Sequence, residues 1–305
     1  MTVAVPDAAV VGQIGRDLVL VVDGVPEPHG TVPVRQRLEM LGGKGANQAV
    51  ALSQLGLRPA LIGVVGSDPA GAWALAAARR DRIDVRGVVR RRGARTSLIV
   101  EVLAPGGAWR YLEDVPEPVL LTEADVHGSA ETLATARAAV LQLQQPSAAM
   151  LAAARYARQA DRLVVLDGAP AEDGHRDALL AAADVVRADA RESAALAGGP
   201  LHDAATAVRA GRDLLRRGPR LVALAVSGTG NVFVWPDGDV CTPLSGVDVV
   251  DTTGAGDAMI AALTAALLRG RGFAQAAQDA SDAAAASVGR IGGRPALPDN
   301  GVTTG

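Results

Sequence analysis

Cysteine, histidine and aromatic residues are scarce in this chain of 305 residues, and each scarcity narrows what the protein can be. The single cysteine, Cys241, cannot form an internal disulfide and leaves no set of thiolates for a metal site. Only 2% of the residues are aromatic, so a flat ligand would find few rings to stack on. The four histidines are scattered, without the spacing of a metal-binding helix: His29, His127, His175 and His202.

Long apolar runs and a basic surplus are also missing. No stretch reaches the ~18 uninterrupted apolar residues that a membrane span needs. The N-terminus MTVAVPDAAVVG lacks the basic and long apolar segments of a signal peptide. A net charge of −3 does not favour a nucleic-acid partner, which selects for excess Lys and Arg. We therefore expect a cytoplasmic protein with neither a membrane nor a nucleic acid as partner.

Lysine is nearly absent. Lys and Arg together number 30, and Lys44 is the single lysine, so the other 29 are arginine. Where this chain needs only a cation, it uses Arg. Lys44 is therefore predicted to do something that a compact ammonium does and a planar guanidinium cannot.

Short apolar runs alternate with Ala-rich helical runs along most of the chain, which is typical of parallel α/β folds. The pattern predicts an α/β fold, a doubly wound, mostly parallel sheet with helices on both faces, as one domain over 1–305. In such sheets ligands bind beyond the carboxyl ends of the strands. The predicted strands are 10–12, 18–22, 61–65, 139–143, 162–167 and 221–226, followed by a hairpin that turns at Asp237-Gly238. The predicted helices are 46–55, 69–80, 147–159, 202–217, 255–269 and 273–288.

Two extended segments, 31–40 and 96–113, have no helix to cover them. They predict a small accessory sheet, inserted at about 13–40 and 95–114, that serves as a lid, a dimer surface or both. Eight arginines between Arg79 and Arg95 are compatible with a phosphate-binding patch. A helix end followed by an edge strand, charged to prevent edge pairing, explains them better.

The stretch DTTGAGDAMI, residues 251–260, indicates an anion site. Its glycines precede an apolar helix, so the free N–H groups of Gly254, Ala255 and Gly256 point outward at the positive end of the helix dipole. A carboxylate beside a bound phosphate is repulsive unless it accepts a proton from the attacking hydroxyl, which is the role predicted for Asp257. The alternative is that Asp257 only caps the helix, which would leave the glycines unexplained.

A second glycine-rich stretch, LGGKGANQAVALSQLG, covers 41–56. It lacks the first Gly and the Ser/Thr of a Walker A loop, and VVGQIG at 10–15 has the spacing GxxG rather than the dinucleotide pattern GxGxxG. A sugar site fits better, because Gly42 and Gly43 let a ring approach the backbone while Lys44 and Asn47 bond its hydroxyls. Asp17, just after the first strand, is a further hydroxyl acceptor.

Together, GGKGANQAVALSQLG and DTTGAGDAMI resemble the two signature stretches of the ribokinase-like (PfkB) carbohydrate kinase family, and GGKGANQA is most similar to its ribokinase branch. The resemblance runs from the first strand to GGRPALP near the end. It implies that Asp257 is the base and that Gly254, Ala255 and Gly256 steady the γ-phosphoryl group of ATP. Other implied sugar-binding positions are Asp17, Gly42, Gly43, Lys44, Asn47 and Gln144.

The resemblance also implies cofactor positions. In RADARES, Asp189 and Glu192 correspond to the NxxE stretch that organises Mg²⁺ and the phosphates, with Glu192 acting through water. Asp251 and Thr253 lie where a monovalent cation such as K⁺ binds, with later contacts near 287–293. The lid would also form a homodimer contact. Ser227, Gly228 and Gly230 lie where the nucleotide loop runs.

Three positions depart from the ribokinase pattern. Gly15 replaces an Asn that binds ribose, which removes a donor and makes room, and Gln144 replaces a Glu with a group that can also donate. Asp189 replaces an Asn and adds a charge. The first two lie in the sugar pocket, and an unpaired hydroxyl there costs on the order of 1–3 kcal/mol.

The functional prediction is therefore an ATP- and Mg²⁺-dependent kinase that phosphorylates a primary hydroxyl of a small sugar, with ribose or a related pentose or hexose as first choice. A nucleoside kinase is the alternative. A phosphosugar kinase would need arginines from 79–95 in the pocket. A sugar-binding sensor without turnover is disfavoured, because the base and anion hole are both present.

Overall fold

The architecture comes from a computed structural model, which describes residues 5–244, 250–289, 291–295 and 297. Over those residues, no helix is long and apolar enough to cross a bilayer.

The larger sheet has nine strands in the order β13-β12-β11-β10-β9-β8-β1-β4-β5. All neighbours pair in parallel except the antiparallel β11, β12 and β13 at one edge. This confirms the predicted mostly parallel sheet and the hairpin near Asp237. Its strands are β1 (Ala8–Val11), β4 (Pro59–Gly66), β5 (Asp84–Arg91), β8 (Ala138–Gln142), β9 (Leu163–Asp167), β10 (Val185–Ala188), β11 (Leu221–Val226), β12 (Gly230–Trp235) and β13 (Gly238–Pro243).

Helices pack on both faces of this sheet, over two separate clusters of buried Ala, Val, Leu and Ile side chains. They are α1 (Lys44–Gln54), α2 (Pro69–Arg80), α3 (Glu123–His127), α4 (Ala130–Thr135), α5 (Ser147–Gln159), α6 (Arg176–Ala182), α7 (Ala190–Ala197), α8 (Ala204–Leu215), α9 (Ala255–Leu268) and α10 (Phe273–Ser287). The bounds predicted for α2, α5 and β11 are confirmed. Helix α2 begins where expected, because the Asp68 side chain accepts the Gly71 N–H and Pro69 occupies the first turn.

The sequence prediction missed β10 and the four helices α3, α4, α6 and α7, and it gave no bounds for β5. Strand β5 is the arginine-rich segment, in which charged residues obscure the alternating apolar pattern of a strand. It lies at an edge of the sheet. The edge-strand interpretation of the arginines is confirmed. Three of these arginines pair with carboxylates of the surface: Arg86 with Asp84, Arg91 with Asp125 and Arg95 with Asp114.

The second sheet has four strands in the order β3-β2-β6-β7 and forms the lid. Its strands are β2 (Gly15–Val22), β3 (Val34–Gly42), β6 (Ser97–Ala104) and β7 (Ala108–Asp114). Strands β6 and β7 form the hairpin predicted through Pro105-Gly106-Gly107. Because β2 directly follows β1, and β3 directly precedes α1, the lid lies over the carboxyl edge of the larger sheet.

Candidate active site

A cavity of about 890 Å³ lies between the lid and the carboxyl ends of the larger sheet. It brings together residues that are up to 244 positions apart in sequence, and both Lys44 and Asp257 line it. The predicted site residues that line it are Asp17, Gly43, Lys44, Asn47, Gln144, Asp189, Ser227, Thr253, Gly254, Gly256 and Asp257. The predicted residues Gly42, Ala255, Glu192, Gly228, Gly230 and Asp251 are not part of the lining.

Helix α9 begins at the glycine run, as predicted. Gly254 is its N-cap, with a left-handed φ of 79° and no side-chain cap. A Cβ on Gly254 would lie only 2.1 Å from the carbonyl oxygen of Gly293, so only glycine fits there. Gly254 and Gly256 line the cavity at the positive end of this 14-residue helix. Contrary to the prediction, the Ala255 N–H is not free, because it donates to the Thr252 carbonyl oxygen at 3.3 Å.

The Asp257 carboxylate does not cap this helix. It is only 5% exposed, and its oxygens accept hydrogen bonds from α1 instead: Oδ1 from Nε2 of Gln48 at 3.0 Å and Oδ2 from Nδ2 of Asn47 at 3.4 Å. The capping alternative therefore fails. Burial, followed by the charge of Asp167, raises the pKa of Asp257 to about 7, against the opposing effects of Lys44, Gln48 and Arg187. A carboxylate with this pKa suits proton transfer near neutral pH.

Three residues that line the cavity, Gln13, Asp17 and Asn47, have buried polar atoms without a partner among the described residues. These atoms are Asp17 Oδ1, Asn47 Oδ1 and Gln13 Nε2. Burial, and then the charge of Asp257, raises the pKa of Asp17 to about 7. Buried polar atoms are normally hydrogen-bonded, so this set of two acceptors and one donor fits the hydroxyls of a sugar.

Gly42 makes room for Asp17. A Cβ on Gly42 would lie 2.0 Å from Cγ and Oδ1 of Asp17. We expect Gly42→Ala to displace this carboxylate and raise KM for the acceptor roughly tenfold to a hundredfold, the equivalent of one lost hydrogen bond to a charged group. Gly24→Ala is the control, since a Cβ there meets no atom within 4 Å. Steady-state kinetics with equal KM values for the two variants would contradict this role for Asp17.

Gly15 does not make room, contrary to the sequence-based expectation. In β2 it pairs with Ser97 of β6, and a Cβ on Gly15 would lie 2.9 Å from the Ser97 carbonyl oxygen. The neighbouring lid strand fills the space that the missing side chain leaves.

The inner face of the lid contributes residues that sequence reasoning missed. The Tyr111 hydroxyl hydrogen-bonds the Thr253 hydroxyl, which lies 3.4 Å from Oε1 of Glu101. Tyr111 also stacks on Trp109, with ring centroids 4.6 Å apart. Burial, and then the charge of Asp251, raises the pKa of Glu101 to about 7. Glu101 could have been noticed from the sequence, because it is the single acidic residue in the otherwise apolar strand SLIVEVLA.

Asp189 and Glu192 form a reciprocal cap at the start of α7. The Glu192 N–H donates to Asp189 Oδ1 and the Asp189 N–H donates to Glu192 Oε2, both at 2.8 Å. Oε1 of Glu192 remains 3.8 Å from Nζ of Lys44. One fixed carboxylate oxygen fits Mg²⁺, which keeps several waters and takes few protein ligands. The part of the chain that the structure describes contains no cluster of three or more His, Cys, Asp or Glu residues suited to a metal.

The remaining predicted cofactor positions have distinct surroundings. Ser227 lines the cavity, and Gly228, with φ 73°, faces open space beside it. Gly230 is required by packing, because a Cβ there would lie 2.2 Å from the Thr242 carbonyl oxygen. The Asp251 carboxylate joins two loops by accepting the N–H groups of Thr253 at 2.8 Å and Gly292 at 2.7 Å. The monovalent cation near Asp251 and Thr253 stays a prediction, and Arg290, within the predicted 287–293 contacts, lies outside the described residues.

A buried ion pair on the cavity floor was also missed. Arg187 of β10 donates from Nη1 to Oδ1 of Asp167 at 3.0 Å, and the two side chains are 10% and 1% exposed. A Cβ on Gly256 would lie 2.5 Å from Nη2 of Arg187, so the guanidinium lies directly against the glycine loop. The pair could not be predicted from local sequence, because its two residues are 20 positions apart and lie on adjacent strands.

Comparison with known proteins agrees with this geometry. Residues 5–300 match the model of the pfkB family carbohydrate kinases. The chain belongs to this family and is an ATP-dependent kinase of the ribokinase-like type.

Individual relatives span nearly the whole chain. A ribokinase from Haemophilus influenzae is 30% identical over 291 residues, which are 95% of this chain and 94% of the relative. An ATP-dependent ribose-1-phosphate kinase from Halopiger xanaduensis is 33% identical over 288 residues, 93% of each chain. The structure of Arabidopsis thaliana ribokinase complexed with ribose and ATP has the same fold, with a TM-score of 0.81 over 97% of this chain and 96% of that one, at 23% identity.

Proposed function

We propose that this kinase transfers the γ-phosphoryl group of ATP to a primary hydroxyl of an unphosphorylated sugar, with ribose as the first candidate. The observation that carries the proposal is the division of charge in the cavity. The lid contributes three carboxylates to the lining, Asp17, Glu101 and Glu113. The lining cations Lys44, Arg187 and Arg191 all come from the larger sheet and its helices.

This division disfavours a phosphorylated sugar. A sugar with its reacting hydroxyl at Asp257 extends toward the lid, where a phosphate would face carboxylates at close range. None of the eight arginines from 79 to 95 lines the cavity. The activity named for the Halopiger relative is therefore the less favoured one for this chain, although that relative is 33% identical.

The reaction follows from the positions of the side chains. Asp17 and Asn47 hold the sugar hydroxyls, and the Asp257 carboxylate accepts the proton of the attacking hydroxyl. The amides at the start of α9 stabilise the charge that develops on the transferring phosphoryl group. Glu192 would hold Mg²⁺ through water, and the bound ion would supply further neutralisation of phosphate charge. The lid excludes water that would otherwise accept the phosphoryl group.

A nucleoside kinase is the second candidate, and the stacked pair Trp109 and Tyr111 supports it. Both rings line the lid side of the cavity, where a base attached to the sugar could stack.

ADP release over a panel of acceptors tests the proposal. We expect ribose or a related free pentose or hexose to give the highest kcat/KM, and ribose 1-phosphate to give at least tenfold less, since like charges at close range cost several kcal/mol. Preference for a nucleoside would promote the second candidate, and preference for ribose 1-phosphate would overturn the proposal. Sugar binding in calorimetry without turnover of any acceptor would instead indicate a sensor.

A further inference from the structure

Asp167 is a buried carboxylate at the reaction centre to which the proposed mechanism assigns no role. It ends β9 and is 2% exposed. Its two oxygens have different partners, since Oδ2 accepts a hydrogen bond from Nε2 of Gln48 at 2.7 Å and Oδ1 accepts one from Nη1 of Arg187 at 3.0 Å. Each of these partners leads to a different part of the site.

Gln48 connects Asp167 to the predicted base. Its Nε2, which carries two N–H groups, also donates to Oδ1 of Asp257 at 3.0 Å. Gln48 is fully buried, and its Oε1 has no partner among the described residues. Among the described residues, the side chain therefore makes only its two hydrogen bonds to carboxylates, and these hold Asp257 and Asp167 at a fixed separation.

Arg187 connects Asp167 to the glycine loop. Its guanidinium lies against Gly256, and its Nε has no partner within the described ranges. Among the described residues, Asp167 is the only carboxylate that forms an ion pair with Arg187. A guanidinium that is 10% exposed needs such a partner to remain in place, because an unpaired buried charge is strongly unfavourable.

We propose that Asp167 is a positioning residue, which orients the Asp257 carboxylate through Gln48 and holds the Arg187 cation beside the amides of the glycine loop. The proposal rests on the proposed function, in that it takes Asp257 as the base. One buried acid thus fixes both opposite charges of the reaction, the base on one side and a cation next to the phosphoryl site on the other.

The charges around Asp257 determine in which direction its pKa moves when a neighbouring residue is replaced, and this direction can be measured. Asp167 of β9 raises the pKa of Asp257, whereas Lys44 of α1 and Arg187 of β10 lower it, as does the hydrogen bond from Gln48. Asp17 of β2 also faces Asp257, and each carboxylate disfavours ionisation of the other. With a pKa of about 7, the base is ionised above neutral pH, so kcat/KM of the native enzyme rises with pH through that region.

Asp167→Asn removes the charge that raises the pKa of Asp257. We expect the acidic limb of the kcat/KM profile to move to lower pH. We also expect kcat to fall roughly tenfold to a hundredfold at the plateau, because hydrogen bonds to charged groups are lost. Gln48→Met is expected to shift the acidic limb in the opposite direction. It removes the hydrogen bond that favours the carboxylate, so the acidic limb moves to higher pH, while kcat again falls.

Opposite movements of the two limbs support the proposal, since a general loss of packing would not move them in opposite directions. Limbs that stay in place, or that move in the same direction, overturn it, whatever happens to kcat. Thermal unfolding is measured for both variants. Gln48→Met leaves the Asp167–Arg187 pair intact, so a limb of this variant that stays in place or moves to lower pH overturns the proposal even if Asp167→Asn does not fold.

Asp257→Asn separates this inference from the proposed function. If Asp257→Asn keeps native turnover, Asp257 is not the base and the proposed mechanism fails. If Asp257→Asn is inactive and the limbs of the other two variants do not move as stated, the mechanism stands and the role of Asp167 is wrong.

Discussion

Asp257→Asn is expected to lower kcat by about 10²–10⁴-fold, the usual contribution of a general base. Asn is nearly the same size, and its one amide oxygen can still accept the stronger of the two present contacts, the hydrogen bond from Gln48 Nε2 at 3.0 Å. It cannot accept the proton of the attacking hydroxyl at neutral pH. Single-turnover kinetics measures the loss directly.

Calorimetry with the acceptor sugar is the matching control, because binding relies on Asp17 and Asn47 rather than on proton transfer. We expect the dissociation constant of the sugar to change by less than about tenfold, equivalent to ~1.4 kcal/mol. Asp17→Asn should show the reverse pattern, with weaker binding and a smaller effect on kcat. An Asp257→Asn enzyme within tenfold of native kcat would exclude Asp257 as the base.

Gly254→Ala is the second substitution with a large expected effect. Its Cβ would lie 2.1 Å from a backbone carbonyl oxygen, at a φ of 79° that an L-residue adopts reluctantly. The loop must move, and the amides at the start of α9 move with it. Loss of one preorganised donor costs about 10²–10³-fold in kcat, and we expect a decrease of that size.

Gly270→Ala is the matched control at the opposite end of the same helix. Gly270 also has a left-handed φ, 75°, but a Cβ there meets no atom within 4 Å. The substitution should cost about 1–2 kcal/mol of stability through the backbone conformation alone. Thermal unfolding and kcat are measured for both variants. If Gly270→Ala lowers kcat as much as Gly254→Ala does, backbone strain rather than the position of the amides is responsible.

Local patterns were sufficient for much of the fold. Where a helix has its own start signal, as at Asp68 and Pro69, the predicted bounds match the structure. The bounds of β5 were not predicted, because arginines interrupt the apolar pattern, and prediction failed for the short β10, which has four residues. A four-residue strand contains too little periodicity to separate it from the helix that follows.

The Gly15 error shows a further limit. From sequence, a glycine in place of a side chain indicates space. In the structure, Ser97 of a strand more than eighty residues away fills that space. Pairing between distant strands decides whether a missing side chain leaves a cavity, because cores close around gaps.

The sequence by itself determined the alternation of strands and helices and the glycine loop that opens α9. It also placed a carboxylate in the first turn of α9 and indicated that Lys44 is distinctive, since all of these depend on contiguous residues and helix geometry. Only the tertiary structure decided which charges surround that carboxylate. Asp167 and Arg187 come from separate strands of the larger sheet, and their charges, together with burial, shift the pKa of Asp257. Glu101 comes from the lid sheet and adds to the acidic character of the lid face. Electrostatic effects depend on distance and desolvation in three dimensions, which sequence spacing does not contain.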